Sequence, residues 1–125
     1  MDINLYIIES YRESMGEEWE SFVLDIIDEY IESIPGMFSS LRVARMAEDD
    51  DTFERVAHTI KSNSKTFGAK ALADLAAKLE SGARDGVLNG SDQLLNKMEW
   101  EFQTVRTELL RYRESLLPVC ASLAE

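Results

Sequence analysis

Apolar residues recur along this chain at intervals of three and four, and the two-residue alternation of a β-strand is nowhere sustained. Trp19, Phe22, Val23, Ile26, Ile27, Tyr30 and Ile34 form the first such stripe and predict a helix with that face on the core. Pro35 and Gly36 interrupt it, but Met37, Phe38, Leu41, Ala44 and Arg45 resume the spacing. The pattern therefore predicts a kinked continuation up to the acidic turn Glu48 to Asp51. Asp51, followed three residues later by Glu54, resembles a capping box and opens a helix that Gly68 ends. Ala69, Leu72, Leu75, Ala76, Leu79 and Ala83 trace one narrow face of the next helix, which stops near Gly86. Ser91 caps a last long helix through Leu94, Leu95, Met98, Phe102, Val105, Leu109, Tyr112 and Leu116, with Pro118 at its end. Ahead of these, Asp2 caps a short helix to about Met15, and Gly16 separates it from the rest. Trp19, Trp100 and the methionines read as core packing.

Four long helices joined by short connections pack as antiparallel neighbours. The fold class is accordingly all-α: an antiparallel four-helix bundle with an additional short N-terminal helix, one domain over residues 1–125. Only 2 prolines and 6 glycines punctuate the chain, in keeping with that reading. With 13 basic against 24 acidic residues the formal charge is -11, which repels phosphate backbones and argues against nucleic acid as a partner. The start of the chain lacks the basic segment, apolar centre and cleavage site of a secretory signal, and no run is apolar for long enough to cross a membrane. A cytoplasmic, monomeric protein that does not meet the membrane is expected, and Met1 followed by Asp2 is compatible with a short complete protein. Cys120 is the sole cysteine, so no internal disulfide or cysteine metal cluster can form. The acidic runs read as solvated turns and favourable charge at helix N-termini, and no metal site is expected.

The chain has one histidine. At roughly 100° per residue, with His58 at zero, Val56, Ile60 and Phe67 lie within about 20° of the opposite side and Phe53 within about 40°. Glu54, Arg55, Lys61, Ser62 and Lys65 lie within about 60° of His58 by the same count. The imidazole is therefore expected on the outward face, which is the wrong side for a core histidine. Asn63 falls near the buried edge and must find a hydrogen-bond partner or lean outward. From Arg55 to Lys70 there are four basic residues and no acidic one, against the negative total. Such surroundings disfavour a further positive charge on the ring, keep its neutral, nucleophilic form available and attract a phosphoryl group. Lys61 and Lys65, one and two turns on, can offer ammonium groups to phosphate oxygens. Ser62 leaves room above the ring for another protein to approach.

His58, Lys61, Ser62, Gly68, Ala69, Leu72 and the Leu79-Glu80 pair together resemble the motif of histidine-containing phosphotransfer (HPt) domains, of the form AHxLKGxxxxxGAxxLxxxxxxLE. The likeness is tight from Ala57 to Glu80 and extends more loosely, through the Pro35 segment and the Ala83 to Gly86 turn, across most of the chain. Ser62 departs from the glycine common after the lysine, but a hydroxymethyl group is still small. The resemblance implies a phosphorelay carrier: His58 as phosphoacceptor, modified at Nε2, with Lys61 stabilising the phosphoryl group. Lys65 gives possible electrostatic support, and Ser62 and Gly68 serve access and geometry. It also implies receiver domains of response regulators or a hybrid histidine kinase as partners. No cofactor is expected on this chain, and the magnesium ion belongs to the partner.

The chain has no P-loop, no kinase glycine-rich loop and no separate nucleotide-binding lobe, so it is not expected to be an enzyme that phosphorylates itself from ATP. In the phosphoacceptor helix of a histidine kinase an acidic residue and Arg-Thr-Pro follow the histidine; here Thr59, Ile60 and Lys61 do. The alternative reading is a non-catalytic acidic helical-bundle interaction module in which His58 is incidental.

Overall fold

The computed structural model describes residues 2–117; Pro118 and Cys120 lie outside them. Two short helices, α1 (Tyr6–Ser10) and α2 (Arg12–Met15), and a 3-10 turn (Gly16–Glu18) lead into four long ones: α3 (Trp19–Met46), α4 (Asp50–Thr66), α5 (Lys70–Arg84) and α6 (Ser91–Leu116). Among the described residues there is no strand. α3 packs on α4 and α6, and α5 packs on the same two, which closes an antiparallel bundle.

The core is a column of large side chains from all four long helices. Trp19, Ile27, Ile34, Leu41, Phe53, Ile60, Leu72, Leu95, Met98, Phe102 and Leu109 are fully buried. At roughly 25 cal/mol per Å² of apolar area removed from water, such a column is the main source of stability for a chain of this size. Phe102 joins two helices edge-on, with its ring centroid 5.9 Å from Tyr30 and 5.8 Å from Phe38. α3 runs through Pro35 as one helix, because Pro35 and Gly36 face solvent and the apolar positions on both sides remain in register. Arg42 with Glu99, Arg45 with Asp92 and Arg113 with Asp28 tie α3 to α6 along the surface.

The helix starts differ from those expected. Asp49, not Asp51, caps α4: its Oδ1 accepts the Thr52 amide at 3.1 Å and its Oδ2 accepts the Thr52 hydroxyl at 2.6 Å. These bonds to the charged form hold the Asp49 carboxyl below the usual carboxylate range. Three consecutive aspartates each satisfy the capping rule, and the spacing to the core decides among them. Ser91 does not cap α6; it is the first residue of the helix, its Oγ accepts from Arg45 Nε at 2.8 Å, and Gly90 in a left-handed conformation precedes it. Nor does Asp2 cap α1, since its amide donates to the Glu108 carboxylate, while Asn4 Oδ1 accepts from the Tyr6 amide at 3.0 Å. The N-terminal helix is in two pieces, anchored where the Trp19 indole donates to the Ile8 carbonyl at 2.8 Å.

Three side chains assigned to the core are not in it. Trp100 is 76% exposed on α6, Met46 is exposed at the end of α3, and Phe22 stands at the surface of α3. The apolar stripe of α3 is broader than the core needs, and its excess edge forms the wall of a groove described below.

Candidate functional site

His58 lies midway along α4, exposed on the outer side of the α4–α5 hairpin. The buried face of that helix is Phe53, Ala57, Ile60, Ser64 and Phe67, with Val56 only half-buried. This face is rotated about 40° from the one the large apolar residues define, toward Ala57 and Ser64, whose small side chains let neighbouring helices approach. Ser64 is sealed in the core and shares a 2.8 Å hydrogen bond with the Tyr30 hydroxyl. Burial pushes the Tyr30 phenol up to about 12, against a smaller lowering by that bond, so it stays neutral.

The hairpin brings Glu80 of α5 to the base of the imidazole. His58 Nδ1 is 2.6 Å from Glu80 Oε2, and Lys61 Nζ donates to Glu80 Oε1 at 2.5 Å. Arg84 donates to Glu80 Oε2 at 3.4 Å and to Glu54 Oε1 at 3.0 Å. The Glu80 side chain is only 7% exposed, whereas that of His58 is 58% exposed. Burial of the carboxylate pushes its pKa up, but the bonds from Lys61 and His58 and the charges behind them outweigh burial together and hold it below its ordinary value. An ionised carboxylate can only accept, so the proton of this hydrogen bond resides on Nδ1. In the neutral ring the lone pair then belongs to Nε2, which no described residue engages.

The cation-only surroundings expected from the sequence do not form. Lys61 is committed to Glu80 and Lys70 to Asp74 at 2.8 Å, while Arg55 and Lys65 are exposed without an ion pair among the described residues. Counting along α4 alone misses the carboxylate that α5 contributes. A signal for it was present: a glutamate on the inner edge of α5 beside Ala69, Ala73 and Leu79 requires a cation, and Lys61 of the facing helix and Arg84 one turn on along α5 both supply one. Ser62 is exposed one turn beyond His58, as expected, and Asn63 is half-buried on the side of α4 that faces α3.

Lowering of the Glu80 pKa by folding carries a sign. A depressed carboxylate stabilises the fold above its unfolded pKa and loses that contribution as pH falls through the folded value. The stability gap between the protein and Glu80→Gln, about 1–3 kcal/mol for charged hydrogen bonds, should be constant above about pH 5 and shrink below 4.5, the ordinary value. Urea midpoints of both proteins across the acid range check this, and a gap independent of pH contradicts it.

Beside His58 on its other flank runs a groove of about 400 Å³ between α3 and α4. Phe22, Ile26 and Met37 form its α3 wall, Thr59, Asn63 and Thr66 its α4 wall. Tyr30 and Phe67, with ring centroids 4.8 Å apart, close its floor. Gly68 ends α4 with φ +63°, and an added Cβ there would lie 2.1 Å from the Asn4 carbonyl oxygen. The N-terminal segment passes over this point, and the Asn4 amide donates to the Phe67 carbonyl at 3.1 Å.

The bundle thus offers one exposed imidazole, bonded through Nδ1 to Glu80, beside an open groove. The family model described as Hpt domain matches residues 25–115, and the chain belongs to that family. Among solved structures it is similar to histidine-containing phosphotransfer protein B (HptB) from Pseudomonas aeruginosa PAO1, with 28% identity and a TM-score of 0.78, over 91% of this chain and 96% of that one. The comparison with curated proteins finds no match.

Proposed function

We propose that this histidine phosphotransfer protein of a phosphorelay carries the phosphoryl group on Nε2 of His58, taking it from the aspartyl phosphate of one receiver domain and passing it to the aspartate of another. One observation above all supports the reading, the 2.6 Å contact between His58 Nδ1 and Glu80 Oε2: an ionised carboxylate there favours the proton on Nδ1 and the lone pair on the outward nitrogen. Nε2 attacks phosphorus in line, an N–P bond forms, and the P–O bond to the aspartyl carboxylate breaks with its electrons. The ring gains a positive charge as the bond forms, and Glu80, already in contact through Nδ1–H, compensates it in place. Delivery to the second aspartate is the same sequence reversed. The partner receiver supplies the magnesium ion and the acidic pocket, so this chain is a carrier that needs no nucleotide site and no cofactor of its own. We place it in the cytoplasm as a monomer; no helix among the described residues is long and apolar enough to cross a membrane.

Lys61, one turn from His58, is held by Glu80 until a second anion arrives. Lys61→Ala should slow transfer or shorten the phosphohistidine lifetime by about 10-fold without abolishing either, because the ammonium assists an attack it does not perform. Single-turnover transfer and decay of the label measure both, and unchanged values remove Lys61 from the site. Lys65, exposed two turns from His58, supports the phosphoryl group only through its field. Incubation with phosphorylated receiver domains tests the proposal as a whole: acid-labile, base-stable label on His58 is the expected product. Its absence across several receivers favours an interaction module.

A further inference from the structure

On the side of the bundle away from His58, α6 carries a stripe that the fold itself leaves unused. This helix packs on α3 and α5 and so lies diagonally across from α4. With Trp100 at zero and roughly 100° per residue, Lys97, Thr104, Thr107, Arg111 and Glu114 fall within about 60° of it, at alternating spacings of three and four. All six are exposed, and Trp100 is the most exposed large aromatic of the long helices. The ion pairs of α6 among the described residues run from Asp92, Glu99 and Arg113 to α3, which leaves Lys97, Arg111 and Glu114 with none. An indole in water among unanswered charges is the kind of side chain that anchors an interface.

The stripe is its own complement when reversed about the point midway between Thr104 and Thr107. Laid antiparallel on a second copy, it brings Lys97 to the partner's Glu114, Trp100 to the partner's Arg111 and Thr104 to the partner's Thr107, each contact made twice. We infer that two copies of this chain pair in this way, α6 on α6 about a two-fold axis. Alternating spacings of three and four are those of the seam between two helices crossing at about 20°. The threonines let the two axes approach at the centre. A shallow depression of about 360 Å³, lined by Gln103, Thr104, Thr107, Glu108 and Arg111, lies where the partner's Trp100 enters, and the Arg111 guanidinium covers the face of that ring.

Two features keep the pair weak. Glu101 meets the partner's Glu108 along one edge, and each copy carries a charge of -11. One helix on one helix also buries less than the roughly 1,200 Å² of a stable interface. The dissociation constant is therefore on the order of 100 µM, so the protein is a monomer when dilute and pairs where copies are concentrated. Because His58 stands on the diagonal helix, both imidazoles remain exposed in the pair.

Sedimentation equilibrium of the whole chain from about 10 µM to about 1 mM brackets the expected constant. Lys97→Glu and Glu114→Lys should each weaken pairing about 10-fold, whereas the double exchange, which keeps the parent's net charge, should restore it to within about 3-fold. An effect of net charge alone would weaken the first variant and strengthen the second. Trp100→Ala should weaken pairing at least about 10-fold. In the parent, the indole resonance of Trp100 should shift with concentration while that of Trp19, buried in the core, stays fixed. Every substituted side chain is exposed, so thermal melts should match the parent. A parent that is monomeric at the highest concentration, a double exchange no tighter than the single changes, or a dimer indifferent to Trp100→Ala overturns the inference.

Discussion

Replacing His58 by glutamine should remove phosphoryl acceptance entirely, to at least about 1,000-fold below the parent, while the bundle remains folded. Both halves follow from the position of the side chain. Its ring is exposed and makes a single side-chain hydrogen bond among the described residues, to Glu80, which keeps Lys61 and Arg84 as partners when the imidazole is gone. A glutamine amide can still donate to Glu80, so the change in stability should stay below about 1 kcal/mol. It has no nitrogen lone pair able to attack phosphorus, and no other described residue duplicates the clamped imidazole. Phosphoamino-acid analysis together with a thermal melt makes the comparison. Label retained in a folded His58→Gln protein contradicts the assignment, and collapse of the fold contradicts the placement of the ring.

The largest effect on stability should come from Gly68→Val. The backbone there has φ +63°, which a β-branched residue strongly disfavours, at a cost of roughly 1–2 kcal/mol. A Cβ would also sit 2.1 Å from the Asn4 carbonyl oxygen and 2.6 Å from its amide nitrogen, both backbone atoms that cannot rotate away. The N-terminal segment must lift off, losing the Asn4 to Phe67 bond and the burial of Ile3. Together these effects reach about 3–5 kcal/mol, or a fall in Tm of roughly 10–20 °C. Gly36 gives the contrast: it is mid-helix, and an added Cβ meets nothing within 4 Å. Gly36→Ala should raise stability by about 0.5–1 kcal/mol through helix propensity. A melt of Gly68→Val that matches the parent refutes the close approach of Asn4 at this point.

The outward direction of His58 was readable because it depends on one helix alone, where 100° per residue fixes which side chains share a face. Glu80 was not, although it stood in the quoted motif, because its contact with His58 depends on how α5 is turned toward α4. A wheel of either helix alone does not contain that rotation. Phe22 was misassigned for a related reason: periodicity marks a side chain as apolar but does not say whether the bundle or a partner covers it. Trp100 shows the same limit on α6. The capping errors at Asp51, Ser91 and Asp2 come from local rules that several neighbours satisfy equally, with packing several residues away choosing among them.

Phosphotransfer through His58 requires Nε2 to be the free, nucleophilic nitrogen, with the proton held on Nδ1 by Glu80. Nitrogen-15 spectra of the imidazole, recorded before and after phosphorylation by a receiver domain, examine this atom directly. The result predicted is an Nδ1-protonated ring with an unprotonated Nε2, converted by the donor to a species with phosphorus bonded at Nε2. A proton found on Nε2 in the unmodified protein, or phosphorus bonded at Nδ1, would contradict it.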